Sequence, residues 1–139
     1  MRLKHYIAES IDLKSLKIEK SRIYPEEKLV KVKVNKFDKE WSKERDFYIS
    51  KGGGGNAIGN RYKMFKEILE KPEDERKKWL QESPNGNIIA SSVEIDDTGR
   101  VHFSNGRHRY AVLRDLGMKQ IPVAMTSNSI KNAKKFGYI

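Results

Sequence analysis

The sequence predicts a mixed α/β (α+β) fold: one domain over residues 1–139, with a small mixed sheet and helices packed on it. Three observations carry that prediction. Residues 29–34 alternate apolar and basic side chains, the period of a half-buried strand. Residues 88–103 read as two strands joined by the turn signal Asp96-Asp97-Thr98-Gly99. A helical pattern, a Gly and another apolar run then follow, an order that lets a helical crossover bring the chain back to the same sheet. A chain of 139 residues has room for one core but not two.

Residues 1–26 are polar and weakly periodic, and Leu13 to Ile18 suits a short strand or a turn of helix. In the first clear strand Val30, Val32 and Val34 face one way and Lys31, Lys33 and Asn35 the other. Phe47-Tyr48-Ile49 reads as a second short strand. Residues 52–59 then hold five Gly, including Gly54 and Gly55, a backbone that tolerates positive φ and exposes its N–H groups. This loop feeds a helix with Asn60 as N-cap and Tyr62, Phe65, Ile68 and Leu69 on one face. A Gly-rich loop before a helix N-terminus suits a phosphate, so Gly54, Gly55, Asn60 and Arg61 are candidate ligands. A plain surface connection is the other reading of the same residues, and the Walker A and dinucleotide spacings are both absent.

Pro72 and the acids Glu73, Asp74 and Glu75 open the next helix, which continues through Trp79, read as a core residue, and stops near Ser83-Pro84-Asn85-Gly86. A strand over 88–95 and its hairpin partner, ending near Ser104, follow. Arg107 to Leu116 is helical, with Ala111, Val112 and Leu116 available to bury and Gly117 just beyond its end. Ile121 to Met125 is a last strand, in which Pro122 implies an edge or a strand start. Ser127 caps a final helix that buries Ile130 and Ala133.

Composition narrows the chemistry. With no Cys, a disulfide scaffold, a thiolate nucleophile and a Cys-based zinc site are excluded. His5, His102 and His108 show no metal-ligand spacing, so no metal site is expected. No apolar run approaches a membrane span and the start Met1–His5 leads into no apolar signal region, so a cytoplasmic protein with no membrane partner is expected. Basic residues outnumber acidic ones by 29 to 19, for a net charge of +10. Residues 100–139 hold 8 basic and 1 acidic side chain, against 7 and 9 over residues 52–99. That asymmetry suits a polyanionic partner: nucleic acid, a nucleotide or an acidic protein.

One segment violates a local rule. At Asn105-Gly106-Arg107-His108-Arg109 a strand ends, a Gly permits a sharp turn, and a helix opens with three potentially cationic side chains. Cations at the positive end of a helix are unfavourable by roughly 0.3–1 kcal/mol each when exposed. A bound anion reverses that sign, because free N–H groups, helix dipole and guanidinium forks then act together. Pairing of Arg107 and Arg109 with Glu94, Asp96 or Asp97 is the alternative.

The pattern Phe103-x-x-Gly106-x-His108-Arg109-Tyr110-Ala111, with a short helix, Gly117 and Ile121-Pro122-Val123 after it, resembles sulfiredoxin and the N-terminal domains of ParB-type partition proteins. The resemblance spans about residues 85–127, the motif core of the single domain. Gly106, His108 and Arg109 match the sulfiredoxin turn, but Arg107 stands where the catalytic Cys belongs, which excludes peroxiredoxin repair. Of the ParB Gly-x-Arg-Arg turn, whose arginines hold nucleotide phosphates, Arg109 matches and His108 replaces an Arg. The helix-turn-helix domain of partition proteins is not expected, since the chain ends at Ile139.

The resemblance implies a ParB-like domain binding phosphate groups of DNA or of a nucleotide, with nuclease activity as one outcome. For catalysis His108 is the candidate acid or base, and Glu94 and Asp96 are the carboxylates nearest in sequence. A phosphotransferase, hydrolase or switch using ATP or CTP with Mg2+ is the alternative. A catalytically inactive interaction protein of phage or plasmid type is the third.

Overall fold

The computed structural model describes residues 11–139, so the start Met1–His5 lies outside the described residues. A 3-10 turn at Leu13–Ser15 leads to β1 (Ile18–Glu19), and β2 (Lys28–Lys33) runs directly into α1 (Val34–Trp41). A hairpin of β3 (Ile49–Ser50) and β4 (Gly54–Gly55) precedes α2 (Arg61–Leu69) and α3 (Glu73–Trp79). Then come β5 (Ile88–Ile89), β6 (Ser92–Ile95), β7 (Val101–Asn105), α4 (Arg107–Asp115), β8 (Gln120–Met125) and α5 (Ser127–Lys135). The fold is mixed α/β, and no helix among the described residues is long and apolar enough to cross a membrane.

Four strands form the main sheet in the order β2-β8-β6-β7. β8 is antiparallel to β2 and parallel to β6, and β6 and β7 are the two arms of the expected hairpin. The hairpin therefore ends the sheet, with β7 on the edge and β8 inside. Pro122 is tolerated there for a local reason. Ala124 donates its N–H to Ser91 O on the β6 side, and N–H directions repeat every second residue. The N–H that Pro122 lacks thus falls on the β6 side, before the β6–β8 pairing begins at Ser92 and Ala124.

Three elements differ from the sequence reading. The apolar run 88–95 is two strands, because β5 leaves the main sheet to pair in parallel with β1, while a register shift at Ser92/Val93 starts β6. Val34 begins α1 instead of ending a strand, and α1 buries Phe37 and Trp41, one turn apart. Thr126, not Ser127, caps α5, its hydroxyl accepting from Ser129 N–H.

The core is dominated by aromatic rings packed edge to face. Phe37 lies 5.2 Å from Tyr110, Trp41 lies 5.3 Å from Tyr110, and Phe103 reaches all three. α4 contributes Tyr110, Ala111, Val112 and Leu113 to this core and packs against α2, which fixes where its N-terminus emerges.

Candidate functional site: a cleft at the start of α4

The turn between β7 and α4 is built from both sides. Gly106 adopts φ 75°, and a Cβ there would lie 2.6 Å from Arg109 Nη2 and 2.8 Å from Ser91 Oγ, so only Gly fits. Ser91 Oγ donates to Gly106 O at 2.6 Å, and Asn105 Oδ1 accepts from Ser92 N–H at 3.2 Å. Asn105, expected as a phosphate ligand, thus pins the turn to β6 and is not among the residues lining the cleft described next. No side chain caps α4, which leaves the first-turn N–H groups without the oxygen acceptor that a Ser, Thr, Asn or Asp cap supplies.

Beside that N-terminus lies a cleft of about 380 Å³, lined by Gly106, His108, Arg109 and Arg61. Trp79, Met64 and Ile68 line it too, and the exposed Glu82 is the one carboxylate in the lining.

His108 is 8% exposed, and its Nε2 accepts from the backbone N–H of Ile58 at 2.9 Å. The ring proton therefore sits on Nδ1, for which no acceptor exists among the described residues. Burial, and then the charges of Arg107, Arg61 and Arg109, push its pKa down to about 4. At neutral pH His108 is an uncharged donor and not the third cation that the sequence suggested.

The two arginines of the turn differ. Arg107 points away from the cleft, donating through Nη1 to Phe47 O and Asn56 O, both at 2.9 Å, while its guanidinium lies over the Phe47 ring. Its role is to hold the 45–58 segment against α4. Arg109 lines the cleft but is not solvent-facing: its side chain is 22% exposed and its Nε donates to Ile89 O at 2.9 Å. Its Nη1 lies 3.9 Å from the exposed Glu82 carboxylate, and its Nη2 lies 3.5 Å from Asn105 Oδ1. Burial lowers its pKa, partly offset by Glu82. The conflict of cations with the helix dipole is thus partly relieved by backbone carbonyls, although these supply no full negative charge.

Other expected residues fall elsewhere. Asp96 and Glu94 stand at the opposite end of the β6–β7 hairpin from Gly106, roughly 15 Å away along a five-residue strand. Asp96 Oδ1 accepts from Thr98 N–H, Thr98 Oγ1–H and Arg100 N–H, so the carboxylate builds the turn. The Thr98 hydroxyl leads in holding its pKa down to about 2, helped by those amides. Glu94 is exposed and pairs in register with His102. The structure therefore does not bring His108, Glu94 and Asp96 together. Among the described residues no three His, Asp or Glu side chains converge to hold a metal ion, so a nuclease metal set does not fit around this turn.

Gly54 and Gly55 lie in β4, hydrogen-bonded to β3 and outside the cleft lining. The Gly-rich hairpin is clamped from below. Gly52 N–H donates to Asp115 Oδ2 at 2.9 Å, and a Cβ on Gly53 would lie 2.5 Å from the Tyr62 ring. Asn60 is the N-cap position of α2, without a side-chain capping bond. Arg61, the first residue of α2, does reach the cleft and is exposed.

Sequence reasoning missed Trp79, which is not core but 57% exposed in the cleft wall. The signal was available: Glu-Asp-Glu-Arg-Lys-Lys-Trp has no other apolar residue and so no stripe that could bury a Trp. Compared with known proteins, the chain matches no protein family, no curated protein and no solved structure.

Proposed function

We propose that this protein binds the phosphate group of a nucleotide or a nucleic-acid strand at the start of α4, within a ParB/sulfiredoxin-like domain acting in the cytoplasm. The observation that carries the reading is the convergence of hydrogen-bond donors in one cleft. The Nδ1–H of His108, which has no acceptor among the described residues, the uncapped first turn of α4 and the guanidinium groups of Arg61 and Arg109 are gathered there, with a single exposed carboxylate in the lining. An oxyanion accepts from several such donors at once. The strand–Gly–helix turn is also the part of the chain that carries the superfamily resemblance. The role proposed is binding, with no hydrolytic step assigned, because the candidate carboxylates lie at the far end of the hairpin.

Arg61 provides the clean test, since it is exposed and makes no ion pair among the described residues. Arg61→Ala should change stability by no more than roughly 0.5 kcal/mol. In a calorimetric titration with AMP and with a short DNA strand it should weaken binding about tenfold or more, the worth of one charge-assisted hydrogen bond. Wild-type affinity for the strand should fall steeply between 50 and 200 mM salt on the order expected for phosphate contacts, and for AMP only slightly. Unchanged affinity in Arg61→Ala would place the phosphate elsewhere.

A further inference from the structure

We infer that Trp79, in the wall of this cleft, is a stacking platform for an unpaired nucleobase. The inference rests on the phosphate reading above and adds the other half of the ligand. Trp79 is 57% exposed and Met64 59% exposed, on two different helices, and both face the same cleft. Exposing two large apolar side chains side by side is unfavourable for a chain that has a well-filled core to receive them. α3 offers Trp79 no apolar stripe, so its position is not a by-product of core packing.

A cation also stands beside the ring. The Lys71 ammonium stands 5.1 Å from the indole centroid, and Lys71 lies outside the cleft lining. A cation on one side of the indole leaves the cleft-facing side for a second flat group. Ile68 and Phe65, half-buried on α2, add apolar lining, and Arg61 and Arg109 line the same cleft. A cleft of about 380 Å³ that combines an aromatic wall with phosphate donors matches a nucleotide in size and in polarity.

The base must be unpaired. Every base has a π-face that a Trp can cover, but in a duplex those faces are already stacked on their neighbours. Seating a duplex base here requires breaking its pair and unstacking it. The ligand is therefore a free nucleotide or a single strand, which share the chemistry of a base joined to a phosphate.

The test compares four probes: AMP, ribose 5-phosphate, a short single strand and the same strand as a duplex. Affinity and indole emission are read in the wild type, Trp79→Ala and Trp79→Phe. Trp41 is fully buried, so quenching reports Trp79 and should vanish in Trp79→Phe. AMP and the single strand should quench, and AMP should bind about tenfold to a hundredfold tighter than ribose 5-phosphate. Trp79→Ala should remove that advantage and leave ribose 5-phosphate binding unchanged, while Trp79→Phe should keep part of it. A single strand far tighter than AMP would identify a strand as the ligand; equal affinities would identify a nucleotide. If AMP and ribose 5-phosphate bind the wild type equally, or Trp79→Ala leaves AMP binding unchanged, the platform is refuted while the phosphate reading stands. If none of the probes binds, both fall.

Discussion

His108 shows how much the surroundings of one side chain change its chemistry. In the sequence it is a third cation beside two arginines; in the fold it is a buried neutral acceptor for Ile58 N–H. Its folded pKa, about 4, lies below the ordinary value of 6.5, so the unfolded chain binds more protons between those limits. The stability it contributes is complete above about pH 6.5 and is lost as the pH falls towards 4. Its sensitivity in that window should be on the order of 1–3 kcal/mol. His108→Gln, which keeps an acceptor oxygen but does not titrate, should flatten the difference between melting temperatures at pH 7 and pH 5. An identical pH profile in the variant would show that His108 is not buried in the neutral form. Towards an anion near neutrality His108 acts as a plain Nδ1–H donor. No reading of residue types alone could show this, because the shift comes first from burial, then from Arg107, and then from Arg61, a residue 47 positions away.

At the scale of elements, α2, α3, α4 and the turn between β6 and β7 were legible because punctuating residues mark them: Asn60, Pro72, Gly99, Gly106 and Gly117 stand at element boundaries. α1 was not, because it follows β2 with no break and its N-cap position, Lys33, makes no capping bond. The clamp under the Gly-rich hairpin was equally hidden, being built from residues distant in sequence. Arg114, almost wholly buried, donates to Asp38 Oδ1 at 3.0 Å, to Asp115 Oδ1 at 2.9 Å and to Ile49 O at 2.7 Å. Tyr62 O–H donates to Asp115 Oδ2 at 2.5 Å, and Gly52 N–H joins it. Burial alone would neutralise Asp115, but Arg114, Tyr62 and Gly52 outweigh it and hold its pKa below the usual carboxylate range. Asp115→Ala should therefore cost about 3–5 kcal/mol in urea denaturation, the penalty for breaking a buried pair and stranding its partner. Hydrogen exchange at Gly52 should accelerate with it. A loss under 1 kcal/mol would mean that Asp38 alone suffices for Arg114 and that the clamp is dispensable.

For the whole molecule, the fold class and the turn before α4 were readable, whereas the sheet order and the cleft were not. Pairing of β8 with both β2 and β6 puts the β6–β7 hairpin at the end of the sheet. The cleft joins α2, α3 and the start of α4, three segments whose adjacency follows from tertiary packing and leaves no local mark. Hence Arg109 and Gly106 could be named from their motif, while Trp79 and Glu82 could not. The net charge of +10 draws any polyanion to the surface without saying where it docks. The most direct test of the central claim is therefore one that resolves position: an amide 1H–15N titration with inorganic phosphate and then AMP. Phosphate bound at this turn should give saturable shifts concentrated at Arg107, His108 and Arg109, with Ile58 and Arg61 following and the Lys-rich strand β2 unmoved. Shifts spread evenly over the lysine surface, or none at the first turn of α4, would contradict binding there.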